Sequence, residues 1–63
     1  MGAGIEQRIG TTTVRLIAEG GDWWTVEVRP DDARGWVVQM RGKREAEREY
    51  RRRVEAARRE ARA

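Results

Sequence analysis

Cysteine and histidine are absent from this 63-residue chain, and proline occurs once. Without cysteine there is no disulfide scaffold and no thiol nucleophile. Without either residue there is no zinc finger and no imidazole base. The carboxylate pairs Asp31 with Asp32 and Glu45 with Glu49 lie in a turn and one helical turn apart, lacking the apolar surroundings that push a carboxyl pKa towards neutral. No catalytic residue, metal ligand or cofactor site is therefore expected. Gly2 and Gly4 form a Gly-x-Gly that precedes no strand-to-helix turn, so it is not a phosphate loop. Long apolar runs are also missing: nothing approaches a membrane span, and the first ten residues lack the apolar centre of a signal peptide. An unstapled, cysteine-free composition points to a cytoplasmic chain with no membrane partner.

What is present begins with arginine, which supplies all but one of the 14 cations. GC-rich coding produces such a bias as readily as selection for guanidinium chemistry does. Its placement is uneven. Five Arg against six carboxylates through Gly42 give −1, and nine cations against five carboxylates from Lys43 onward give +4.

The stretch from Trp23 to Met40 organises the rest. Two runs rich in β-branched and aromatic residues, Trp23–Arg29 and Trp36–Met40, flank Pro30 to Gly35, which reads as a hairpin with a longer loop. Alternation sorts Trp24, Val26, Val28, Trp36, Val38 and Met40 to one face. Trp23, Thr25, Glu27, Arg29, Val37, Gln39 and Arg41 fall on the other. Thr11 to Glu19 alternates similarly, and Gly20-Gly21-Asp22 reverses the chain into Trp23. Residues 1–10 hold three glycines and no periodicity. They read as a loose lead-in, pinned by Ile5 or Ile9, with an edge strand over Glu6–Ile9 as the other possibility.

From Lys43 onward every residue to Ala61 is a reasonable helix former, with Gly42 as N-cap. Steps of about 100° put Ala46, Tyr50, Val54, Ala57 and Ala61 on one stripe, the cover for the hairpin's apolar face. The expected fold is α+β: one domain over residues 1–63, with a three-stranded antiparallel meander over 11–41 packed against a helix over 43–62. Trp24, Trp36 and Val26 should be buried and Trp23 the most exposed tryptophan. At roughly 28 Å the helix should overhang the sheet, leaving Arg58, Arg59 and Arg62 little to touch. Ala57 and Ala61 would then be free to meet a second copy as a homodimer.

Two surfaces are candidate binding sites. One is the open sheet face, with Arg15, Trp23, Thr25, Arg29, Gln39 and Arg41. The other is a helical ribbon of Arg44, Arg48, Arg51, Arg58 and Arg62, with Arg52 and Arg59 beside it and Glu55 interrupting it. The bland reading of the ribbon is a solvated helix face laced by Glu-before-Arg pairs at i,i+4.

Trp24-Thr-Val-Glu-Val-Arg29, the turn through Asp31-Asp32-Ala-Arg-Gly35, an apolar strand and Met40-Arg-Gly-Lys-Arg-Glu-Ala46 resemble two groups of DNA-binding domain. One is that of plant ethylene-response factors, with its Trp-x-x-Glu-Ile-Arg strand. The other is the N-terminal arm-site-binding domain of phage and transposon tyrosine integrases, whose third strand ends Phe-x-Thr-Lys-x-Glu-Ala. Lys43, Glu45 and Ala46 match that ending outright, while Met40 and Gly42 stand at its Phe and Thr. The resemblance spans about residues 20–57. It implies double-stranded DNA as partner, with Arg15, Trp23, Arg29 and Arg41 entering the major groove. The sequence departs from those families in placing Glu27 mid-face. No recombinase catalytic domain follows, so the expectation is a small DNA-binding regulator or accessory factor of phage or mobile-element type, with Arg44, Arg48 and Arg51 on phosphates. The alternative is a protein-interaction module of phage or plasmid type that binds or blocks a host protein through Trp23, Ile17 and Val37. A third is a structural or designed mini-domain with no ligand.

Overall fold

Three reversals fold the first two thirds of the chain into one antiparallel sheet. In the computed structural model, which describes residues 4–63, strands β1 (Gly4–Ile9), β2 (Thr12–Gly20), β3 (Trp23–Pro30) and β4 (Trp36–Arg41) lie side by side in that order, followed by helix α1 (Lys43–Arg62). The sheet has four strands, not three. Most of the expected lead-in is the strand β1, and only its first three residues lie outside the described residues. β1 pairs along its whole length with β2, from Gly4 opposite Ile17 to Ile9 opposite Thr12. The weak periodicity of Gly-Ile-Glu-Gln-Arg-Ile left an edge strand over Glu6–Ile9 only as the other possibility, because an edge strand with one solvated face needs few apolar residues.

The parity of the β2–β3 pairing depends on a single extra residue. Gly20 pairs with Trp23 across the turn at Gly21 and Asp22, yet Ala18 pairs with Trp24, so a bulge falls between Ala18 and Gly20. Without it every pairing would slip by one, and Val14 and Leu16 would face away from Val26 and Val28. Gly20 and Gly21 take φ of 116° and 58°, which this turn requires and which side chains other than glycine's rarely adopt. At the start of β4 the constraint is spatial instead. A Cβ on Gly35 would come within 2.3 Å of the Val28 carbonyl oxygen.

The helix packs on the inner face and touches all four strands. It begins where the Gly42 N–H donates to the Asp22 carbonyl at 2.8 Å, tying the β4–α1 junction to the β2–β3 turn. It ends at the opposite end of the sheet, with the Ala61 methyl close against Gly10 in the β1–β2 turn. The last turn therefore does not overhang, and Ala57 and Ala61 lie beside Ile9, Gly10 and Thr12. The core is Val14, Leu16 and Val26 from β2 and β3, under Ala46, Tyr50 and Val54, with Ile9, Trp24, Val28 and Met40 packed around it. These are the residues alternation selects. The β4 edge stays partly uncovered: Trp36 is 38% exposed and Val38 37%. Trp36 is thus not the core tryptophan its pattern suggests. The Arg53 guanidinium stacks over its ring at 4.5 Å. Among the described residues no helix is long and apolar enough to cross a membrane.

Candidate nucleic-acid interface

The sheet separates the two candidate surfaces. Arg15, Trp23, Thr25, Arg29, Gln39 and Arg41 lie on its open face, and Arg44, Arg48 and Arg51 on the helix behind its inner face. A straight duplex laid on one surface has the thickness of the sheet between it and the other.

On the open face the cross-strand register puts Arg15 beside Glu27 and Glu6. The Arg15 guanidinium donates to Glu27 at 3.2 Å and its Nε lies 3.0 Å from the Glu6 carboxylate. Arg29 reaches the other Glu27 oxygen at 2.8 Å. Glu27, well shielded itself, thus holds both arginines. Thr25 is 7% exposed and donates its hydroxyl to Glu19, the residue at the bulge, at 2.6 Å. It is a buried link in the sheet, not a contact surface. Trp23 is 46% exposed and carries the Arg41 guanidinium 5.4 Å from its ring centre, while Gln39 lies exposed beside them. Of the six sheet residues, three form a free cluster at the β2–β3 turn end and three are committed within the chain.

On the same face, opposite Thr13, Arg8 pairs with Asp31, whose backbone N–H also donates to the Thr11 carbonyl at 2.8 Å. The two contacts tie the β3–β4 loop to the β1–β2 turn. The hydrogen bond and charge of Arg8 hold the Asp31 carboxyl below its ordinary value, and Asp31 raises Arg8 in return.

The helix presents a different charge pattern. The ion pairs of Arg48, Arg52 and Arg58 are long i,i+3 contacts to Glu45, Glu49 and Glu55, between 3.7 and 3.9 Å. Arg44, Arg51, Arg59 and Arg62 are exposed and form no ion pair among the described residues. Three cations against three carboxylates cancel over Lys43–Tyr50, and six Arg against two Glu leave +4 over Arg51–Arg62. The positive charge is therefore concentrated on the second half of the helix. Arg58 reaches Gln7 on β1 at 3.4 Å, which sets this ribbon on the β1 flank. Glu49 and Arg53, joined at 2.6 Å, occupy the β4 flank with Trp36.

Sequence reasoning placed Glu27 mid-face but did not show that it neutralises two of the candidate arginines, because that follows from a register set by the bulge. No protein-family model matches the chain, and no curated protein or solved structure is detectably similar to it.

Proposed function

We propose that this protein is a small DNA-binding module that holds the phosphate backbone of a duplex with the arginine ribbon of its helix. The observation that carries the reading is the set of unpaired, exposed Arg51, Arg59 and Arg62 in a segment of net +4, with Arg44 extending the ribbon towards the helix start. Arginine's fork of donors suits phosphate oxygens, and a duplex presents one negative charge per about 1.7 Å of its axis. The resemblance to ethylene-response and integrase arm-site domains gives further support for DNA as the ligand. The open face contributes less than the resemblance implies, since Arg15 and Arg29 already answer Glu6 and Glu27.

Titration of a labelled duplex at two salt concentrations tests this. With about four phosphate contacts, each with a slope near −0.9, affinity should fall on the order of a hundredfold between about 50 and about 200 mM salt. Arg51→Ala and Arg59→Ala should weaken binding to all sequences alike and flatten the salt slope, while Arg29→Ala leaves both unchanged. Absence of binding to any duplex at the lower salt would sink the reading. So would binding insensitive to the helix variants.

A second reading rests on a separate observation. Trp23 and Val37, the latter 59% exposed, stand on an open face whose charges largely cancel. That is the make-up of a protein-binding surface with an aromatic anchor. There Trp23→Ala would abolish capture of the partner and salt would matter little.

A further inference from the structure

The two edges of the sheet are guarded differently. β1 carries Glu6 and Arg8, each in an ion pair, so a strand docking there meets charge. β4 has no charge from Trp36 to Met40, no proline and no bulge in its pairing with β3. Edge strands normally carry such devices, since their free N–H and C=O groups otherwise template another strand. The helix covers β4's inner side only in part: Arg53 stacks on Trp36 and Met40 packs on the core, yet Trp36 and Val38 stay more than a third exposed beside that unpaired edge. A strand added there gains both the backbone ladder and apolar cover.

The sequence of β4 indicates what that strand is. If two copies of Trp36–Arg41 run antiparallel with Val38 opposite Val38, then Trp36 falls opposite Met40 and Val37 opposite Gln39. Every inner-face residue then meets an apolar partner of complementary size, and Arg41 falls at the end opposite Gly35. Shifting the dyad to Gln39 would put Trp36 against Gly42 and Val37 against Arg41, a poorer match. Charge also favours this edge. The flank of α1 above β4 carries Glu49 and Arg53, already paired, whereas the positively charged ribbon lies on the β1 flank, away from the junction. Joining β1 edges would instead bring two ribbons together.

We infer that β4 is a homodimerisation edge: two copies pair antiparallel through Trp36–Arg41 about a two-fold axis at Val38, giving one continuous eight-stranded sheet with both helices on the same side. The strand is short, six residues, so the pairing falls below the ~800 Å² per partner of a standard interface, and the dimer is expected to be a reversible one. The inference is independent of what the arginine ribbon binds.

Sedimentation of the full chain from about 5 to about 500 µM reads it directly, since mass action governs the populations. The weight-average mass should climb from 7.3 kDa towards twice that value. Val38→Lys should hold it at the monomer mass while circular dichroism shows an unchanged fold, and Ile5→Lys on the other edge should leave dimerisation intact. Should Val38→Lys unfold the chain, single cysteines decide in its place. Val38→Cys should cross-link under mild oxidation much faster than Val37→Cys, because only residues at the dyad meet their own copies. A constant monomer mass at the highest concentration overturns the inference. A dimer that survives in folded Val38→Lys, or a Val37→Cys that cross-links as fast as Val38→Cys, overturns it equally.

Discussion

Single residues carry two kinds of tension in this molecule. Tyr50 is 4% exposed, and its hydroxyl has no hydrogen-bond partner among the described residues, although its ring fills the centre of the core. The ring's contacts offset the cost of stripping water from that oxygen. Tyr50→Phe keeps the ring and removes the orphaned group, so it should raise stability by about 1 kcal/mol, which thermal denaturation would resolve. A loss of similar size would mean that the hydroxyl has a partner in solution. Glu27 shows the opposite balance. One carboxylate accepts from Arg15 and Arg29, so a face that looks cationic residue by residue is close to neutral. Candidate binding residues were legible one at a time from alternation. Their mutual cancellation was not, because it depends on which residue lies opposite which.

Among the elements, the helix was the most legible. Its limits, its cap at Gly42 and its buried positions Ala46, Tyr50 and Val54 follow from a 3.6-residue period and an uninterrupted run of helix formers. Its direction was not legible. Its end brings Ala61 onto Gly10 and Arg58 onto Gln7, so the last turn contributes contacts that an overhanging one would not make. Truncation after Ala57 should therefore lower the thermal midpoint by several degrees, the shift expected for about 1 kcal/mol in a domain of this size. An unchanged midpoint would show the last turn to be frayed in solution. The edge strand β1 was the least legible element, its apolar Ile5 and Ile9 being too few to establish a period.

For the whole molecule, size is the governing limit. A chain of this length buries only about 60% of the surface of its unfolded form, so no layer of the core is dispensable. β1 shields the flank of β2 that holds Val14 and Leu16, and its Ile9 joins the core directly. A chain starting at Gly10 is therefore expected to lose cooperative folding at room temperature, monitored by tryptophan fluorescence and amide exchange. Cooperative unfolding with a near-native midpoint would show that three strands suffice. The helix also divides the surface by charge and polarity at this scale. Its basic flank lies towards β1, and the uncovered apolar edge belongs to β4.

The sequence by itself determined the α+β class, the turn and the loop that bound β3, the helix and the apolar faces of β2, β3, β4 and the helix. All of these are local: propensity, turn chemistry and side-chain period act within a few residues. Tertiary structure alone decided the fourth strand, the parity of the sheet, the burial of Thr25, the exposure of Trp36 and the internal pairing of Arg15 and Arg29. Each of these turns on contacts between residues distant in the chain. One bulged residue at Glu19 shifts a whole strand's partners, and where a helix sits on a sheet determines which edge it leaves exposed.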